Sequence, residues 1–226
     1  MTETYEPTEK TQVQRIPKRG TYDRQIVHSI IDQSILCHVG VSINGAPRVI
    51  PTAILRVGEY VYLHGSNASQ LLKALAEGAP ACITVSILDS LVAARSGFHC
   101  AVDYRSVVIF ATGEEVTDRA EKERVLDYFI QHMIPGHKVR PPKAKELNAT
   151  TVLRFPLIEV SAKVRDSGVS DFDEDQNLEM WAGVIPLSIA AGKPVKSPDV
   201  KADISTPDYA TNFSGWGAVE PTPKAG

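Results

Sequence analysis

The sequence has 226 residues, of which 43% are hydrophobic and 23% are charged, and its formal net charge is −3. This composition is typical of a soluble globular protein, and the small negative charge excludes a general electrostatic grip on nucleic acid. The cysteines Cys37, Cys82 and Cys100 form no C-x-x-C pair, which argues against structural zinc or a disulfide framework and favours reduced thiols.

Residues 1–20 are polar and rich in Thr, Glu, Gln and Lys, and we expect them to form a mobile arm. They lack the apolar segment of a secretory signal peptide, and no later stretch is apolar for long enough to cross a bilayer. We therefore expect a cytoplasmic protein that engages neither a membrane nor nucleic acid.

The first regular element is predicted to be a helix over residues 22–33. Ile26, Ile30 and Ile31 fall on one face of it, and Asp23 lies in the first turn, where a negative charge suits the helix dipole. Short runs rich in Val and Ile follow, broken by turn signals at Asn44-Gly45 and Gly58-Glu59. They predict three antiparallel strands, at about 35–43, 46–56 and 60–64.

The second half of the domain alternates short helices and strands. Asp118 can cap a helix that runs to residue 132, and Pro156 predicts that the late strand is an edge or bulged strand. The remaining predicted elements are a helix at 69–77, strands at 81–94, 104–117, 151–166 and 180–187, and a loop at 135–143.

The pattern predicts a mainly β fold: a six-stranded antiparallel barrel with short peripheral helices, since closure protects strand edges. We assign the barrel domain to residues 21–190, after an arm at 1–20. A Pro-rich tail follows from 191, without periodicity, which we expect to be disordered or draped over a partner.

The junction "YLHGSNAS", from Tyr62 to Ser69, joins a strand to a helix. The first N–H groups of a helix lack intrahelical partners and favour an anion, and Gly65 permits close approach of a ligand. Ser66 and Ser69 add hydroxyl donors, so the junction suits a phosphate group. The alternative is that Ser66 or Asn67 is an ordinary N-cap of the helix.

Four stretches, in this order, carry a family resemblance: "VIPTAILR" from Val49, "YLHGSNAS" from Tyr62, "LVAARSGFHCAVDYRSVVIFATG" from Leu91 and "WAGVIPL" from Trp181. Over roughly residues 19–187 the chain resembles the flavin-binding split-barrel family related to pyridoxamine 5′-phosphate oxidase. Its flavin-nucleotide-binding and nitroimidazole-reductase-like branch is the most similar. The resemblance implies a Greek-key split barrel and a homodimer with flavin mononucleotide (FMN) in a cleft between the subunits.

The resemblance also implies cofactor contacts. It places the isoalloxazine ring beside a strand that we expect Pro51 to make irregular, and the phosphate on the turn at 65–70. Many relatives carry a basic residue where this chain has Gln70, so another cation must serve the phosphate. Arg105 is the first choice, ahead of Arg95 and Lys73. The implied cofactor-binding residues are Pro51, Thr52, Ala53, His64, Gly65, Ser66, Ser69, Gln70, Arg95, Arg105, Ser106 and Trp181, with His99 a further pocket candidate.

The flavin would supply the redox chemistry, so no catalytic acid or base is required, and none is identified. We expect an FMN-dependent oxidoreductase acting on a small molecule, with NAD(P)H a candidate reductant. The alternatives are a flavin-storage protein or a heme protein of this fold with a histidine iron ligand. The sequence has no H-E-x-x-H motif or carboxylate pair, so a catalytic metal is not predicted. It also has no Arg–His cluster after Trp181, so formation of vitamin B6 is not predicted.

Overall fold

The computed structural model describes residues 3–216, within which the chain forms five α-helices and eleven strands. The helices are α1 (Arg24–Asp32), α2 (Gln70–Ala76), α3 (Arg119–Met133), α4 (Ala144–Asn148) and α5 (Asp208–Thr211). The strands are β1 (Gly20–Thr21), β2 (Leu36–Ile43), β3 (Ala46–Ala53), β4 (Leu55–Val57), β5 (Tyr60–Ser66), β6 (Pro80–Ala93), β7 (Ala101–Thr112), β8 (Glu114–Glu115), β9 (Thr150–Pro156), β10 (Glu159–Arg165) and β11 (Gly183–Pro186).

Two antiparallel sheets make the framework. The larger has the order β1-β10-β7-β6-β2-β3, with β11 pairing the outer end of β6, and the smaller has the order β4-β5-β9-β8. The hairpin between β2 and β3 turns through Asn44 and Gly45, both at positive φ, as a two-residue turn of this sequence requires. The predicted mainly β, antiparallel split barrel is confirmed.

Two predicted strands turn out to cross from one sheet to the other. The strand expected at 46–56 divides at Ile54 into β3 and β4, and the one expected at 151–166 divides after Pro156 into β9 and β10. Strand β9 has neighbours on both sides at Leu153 and Arg154, but Pro156, where it ends, pairs with β5 alone, as the prediction of an edge position at this proline requires. These corners let the two sheets wrap a common core.

The apolar side chains form two clusters. The main one lies between the sheets and includes Val27, Ile30 and Ile31 of α1, whose N-terminus is capped by Asp23. The second lies between the outer face of β5 and β9 and helix α3, and contains Phe129. The N–H of Glu121 donates to Asp118 at 2.7 Å, which confirms the predicted cap of α3.

Residues 3–20 belong to the fold, so the expectation of a mobile arm is wrong for them. Tyr5 is 3% exposed and packs in the main core, and its hydroxyl lies 2.8 Å from His28 Nε2 and donates to Glu59 at 3.0 Å. Strand β1 pairs with β10. An aromatic anchor within a polar segment gives no periodic signal, which is why the sequence pattern missed it.

The C-terminal segment lies on the chain's own surface. The Tyr209 hydroxyl is 2.7 Å from His137 Nδ1, and the Trp216 indole donates to the carbonyl of Met133 at 3.2 Å. The tail therefore braces the loop that follows α3, and its predicted extension over 217–226 lies outside the described residues. None of the helices in residues 3–216 has the length and apolar composition that a bilayer span requires.

A buried ion pair ties α1 to β4 and generates a first prediction. Arg56 donates to both carboxylate oxygens of Asp32, at 2.8 and 2.6 Å, and the two side chains are 14% and 9% exposed. Asp32→Ala leaves the guanidinium buried without its partner, so we expect a loss of about 3–5 kcal/mol in the free energy of unfolding, measured by urea denaturation. Arg119→Ala, which breaks an exposed pair with Glu123, should cost less than about 1 kcal/mol. Equal losses would contradict this assignment.

Candidate functional site

A cavity of about 590 Å³ lies where α3 and the loop after it cross the outer face of β5. Its walls are largely apolar, and its charged groups come from α3, the loop and α4. The lining residues are His64, Glu123, Leu126, Asp127, Phe129, Ile130, Met133, Val139, Arg140, Pro141, Pro142 and Glu146.

His64 is the one histidine among the residues lining this cavity. Side chains alternate along β5, so Tyr62 and His64 face α3 while Leu63 and Gly65 face the main core and α2. The imidazole packs against the ring of Phe129, with 4.2 Å between the ring centroids. Its Nδ1 atom is buried without a hydrogen-bond partner.

The burial has a chemical consequence. Loss of water lowers the pKa of His64 below its ordinary value of 6.5, so the imidazole is neutral at neutral pH. A neutral imidazole is the form that coordinates a transition metal. An uncharged histidine in an apolar cavity therefore suits a flat, apolar group that carries a metal, and a heme fits the residues that are present.

The predicted phosphate turn lies immediately beside His64. Ser69 caps α2 by accepting from the N–H of Leu72 at 3.4 Å, and Ser66 accepts from the N–H of Ala68 at 3.2 Å. Ser69 is thus the N-cap of α2 and Ser66 closes a local turn before it, although each hydroxyl keeps its own proton to donate. Close packing also favours glycine at position 65, because a Cβ there would lie 3.1 Å from Leu72 Cδ1.

The cations predicted to serve a phosphate have other partners in the described chain. Arg105 forms a fork with Asp89, whose nearest oxygen is at 2.8 Å, and donates to Gln33 at 2.9 Å. Arg95 pairs with Asp171 at 2.8 Å. Neither forms a hydrogen bond with the turn at 65–70, where Gln70 is exposed, so their role toward a phosphate stays a prediction.

Two further candidates on β7 and α2 lie apart from this cavity's lining. The hydroxyl of Ser106 donates to the carbonyl of Lys163 at 3.4 Å, which ties β7 to β10. Lys73 is exposed on α2. Neither observation tests the cofactor roles of Ser106 and Lys73, which stay predictions.

The strand expected beside the isoalloxazine ring is β3, an edge strand that pairs only with β2 in the described sheet. Its register with β2 runs without a break, so the predicted irregularity at Pro51 is wrong. An edge strand accepts a proline because alternate amides point away from the sheet. Thr52 and Ala53 are half-buried and Pro51 is exposed, so this edge is accessible.

A second group of candidates lies at the tip of the hairpin between β6 and β7. His99 packs against Phe172, with 4.3 Å between the ring centroids, and its Nδ1 atom is buried without a partner, as is Nε of Arg95. Trp181 is 68% exposed. His99 does not line the cavity described above, so His64 and His99 lie in separate environments.

Sequence reasoning missed the far wall of the cavity. The segment 135–143 was predicted as a loop without a role, and α4 was not predicted. Val139, Pro141 and Pro142, interspersed with basic residues in "HKVRPPK", are the signal that could have marked a wall with an apolar inner side.

The apolar setting of His64 makes stability depend on pH, in protein without added ligand. The lowered pKa means that the unfolded chain takes up a proton near pH 6.5 that the folded chain resists. The free energy of unfolding should therefore fall as pH drops through 6.5, and His64→Leu should flatten this dependence. Urea denaturation from pH 7.5 to 5.5 measures it. His28, whose pKa burial also lowers, contributes equally in both proteins, so identical slopes would contradict a buried neutral His64.

Comparisons with known proteins were made on the sequence and on the fold. The family model for pyridoxamine 5′-phosphate oxidase matches residues 23–164. No curated protein matches the sequence.

Two solved structures resemble the chain along most of its length. The flavocytochrome Anf3 from Azotobacter vinelandii is 38% identical, with a TM-score of 0.86, over 93% of this chain and 99% of that one. The FAD and heme binding protein from Mycobacterium smegmatis is 35% identical, with a TM-score of 0.83, over 88% of this chain and 98% of that one.

Proposed function

The chain belongs to the pyridoxamine 5′-phosphate oxidase family, and we propose that it is a flavocytochrome, an oxidoreductase that holds a flavin and a heme and transfers electrons to or from a small molecule. The observation that carries the proposal is the half-buried, neutral His64, whose Nδ1 atom is buried without a partner at a largely apolar cavity. Its support is that two relatives similar along nearly their whole length are named for these cofactors.

His64 is the proposed iron ligand. Phe129, Leu126 and Ile130 would supply apolar walls against a porphyrin, with the ring of Phe129 beside the imidazole. The sequence has no C-x-x-C-H motif, so the heme would be held without a covalent bond to cysteine. The strength of attachment then rests on apolar contact, on the imidazole and on whatever cation meets the propionates.

The proposed flavin site is the one that the sequence resemblance implies, at the edge of β3 and the turn at 65–70. It adjoins the heme cavity, because His64 and Gly65 are neighbours on β5 and point to opposite faces of it. We propose FAD as the flavin, since the relative 35% identical is named for it. The resemblance implies FMN instead. Identification of the flavin released from the protein distinguishes the two.

The bound cofactors would supply electron transfer, and the chain's residues would do three things. The neutral imidazole of His64 would bind the iron, the apolar walls would keep water away, and the β3 edge would orient the flavin. None of these tasks needs a catalytic acid or base. A small-molecule substrate, with NAD(P)H as candidate reductant, completes the proposal.

We also propose that the protein is a homodimer. The outer ends of β6 and β7, with β11, expose a group of large apolar side chains that a monomer would leave in water. They are Leu88, Leu91, Phe98, Val102 and Ile185, and each is at least 40% exposed. A two-fold partner that covers this arm would bury the patch and give a second wall to the flavin site at β3.

A charged substitution in the proposed interface tests the dimer. Leu88→Glu places a carboxylate in the proposed interface, where burial of an unpaired charge costs several kcal/mol, so we expect a monomer by light scattering at micromolar concentration. Val195→Glu, in the tail at a side chain 94% exposed, is the matched control and should leave the mass unchanged. A wild-type monomer that still binds flavin would refute the dimer.

The heme ligand is tested by titrating purified protein with hemin and recording the Soret band. His64→Ala should weaken hemin binding at least about tenfold, and added imidazole should restore the spectrum of a coordinated iron. His99→Ala is the matched control, because this histidine also has a buried, unpartnered Nδ1 but lies outside the cavity lining. Equal effects of the two variants, or no hemin binding by wild type, would contradict the proposal.

The flavin and the electron path need separate readouts. Denaturation of yellow protein, followed by chromatography, identifies the flavin as FAD or FMN. Anaerobic addition of NADH or NADPH should bleach the flavin and then shift the Soret band toward reduced heme. A flavin that binds but is not bleached by either nucleotide would remove NAD(P)H as the reductant.

A further inference from the structure

The cavity has one cationic side chain among its lining residues. Leu126, Ile130, Met133 and the two prolines of the loop are apolar, and Glu123, Asp127 and Glu146 are acidic. Arg140 is therefore the only lining residue that can attract an anion. It lies on the loop that the C-terminal segment contacts through Tyr209, at His137.

Arg140 already holds a carboxylate. Its two terminal nitrogens form a fork with both oxygens of Glu146, one of them at 2.8 Å, and the N–H of Lys143 donates to Glu146 at 2.8 Å. The arginine, with the backbone N–H of Lys143, lowers the pKa of Glu146 to about 2, so both partners are charged at neutral pH. Both side chains are about half exposed, at 58% and 47%, so water competes for the pair.

A heme has two carboxylates on one edge, and the rest of it is apolar apart from the metal. Bound in an apolar cavity, those propionates must reach water or a cation, and a guanidinium matches a carboxylate in geometry and charge. The acidic residues that line the same cavity repel the propionates. Among the lining residues, Arg140 is the one cation that can meet a propionate.

We propose that Arg140 is the propionate-recognising residue of the cavity, and that it exchanges its internal partner Glu146 for a heme propionate. The inference rests on the proposed heme function and adds to it the residue that selects a carboxylated porphyrin. Glu146 acts as an internal stand-in for the ligand carboxylate. On exchange it keeps the N–H of Lys143 and so remains satisfied without the arginine.

The exchange has opposite consequences for its two partners. Loss of Arg140 removes the attraction, so carboxylated porphyrin binds less well. Loss of the charge on Glu146 removes the competitor, so the same porphyrin binds better. A role in folding alone would not produce opposite effects, because the two residues form one ion pair and either change breaks it.

The test compares hemin with iron protoporphyrin IX dimethyl ester, which has the same iron and ring but no charged propionates. Dissociation constants are measured by Soret titration at low salt, on the full chain. Arg140→Ala should weaken hemin binding roughly tenfold, as for a charged hydrogen bond, and leave the ester unchanged. Glu146→Gln keeps an acceptor for Lys143 and should tighten hemin binding about twofold to fivefold, again without effect on the ester.

Arg124→Ala is the matched control, since this exposed arginine of α3 carries the same charge and does not line the cavity. It should leave both affinities unchanged. Equal weakening of hemin and ester by Arg140→Ala, or equal effects of the Arg140 and Arg124 variants, would overturn the inference while the heme function stands. Failure of wild-type protein to bind either porphyrin would instead overturn the proposed function.

Discussion

His64 loses most of its water when α3 packs across β5 and β9, and none of the described residues gives its ring a hydrogen bond in return. Burying a polar group without a partner costs free energy. The apolar packing of Phe129 and its neighbours offsets that cost and holds α3 in this position. The neutral imidazole that results shapes everything proposed for the cavity: a metal ligand, apolar walls, and a single cation at the rim.

The split of the barrel into two sheets is what creates this arrangement. β3 and β4 are one stretch of sequence that changes sheet at Ile54, and β9 and β10 do the same after Pro156. The smaller sheet therefore presents one face to the main core and the other to α3. One strand, β5, then serves two environments through alternate side chains, which places the proposed heme cavity and the predicted flavin turn side by side.

Local signals in the sequence predicted local structure well. The Asn44-Gly45 turn and the caps at Asp23 and Asp118 follow from short-range rules and are present. The predicted apolar face of α1 is right for Ile30 and Ile31, but Ile26 is 41% exposed and Val27 is buried instead. The corners were missed because a strand that changes sheets keeps the same alternation of residues. The anchoring of Tyr5 was missed because one buried residue in a polar segment has no period.

The cavity could not be predicted because its walls are far apart in the chain. His64 was singled out at the end of a strand, but the residues that surround it lie at 123–146, and only the packing of α3 brings them together. The pairing of Arg105 with Asp89 was equally invisible, since a sequence does not show which charge an arginine meets. The family was recognisable from motifs in the sequence, whereas the cavity became visible only in the packed structure.

The most direct measurement is a crystal structure of the protein reconstituted with hemin, with diffraction data collected at the iron absorption edge. The anomalous signal locates the iron without reference to the surrounding density. The account predicts one iron position per chain, within bonding distance of a ring nitrogen of His64, between β5 and α3. Iron at the hairpin tip near His99, or at another site with His64 still unligated, would contradict it.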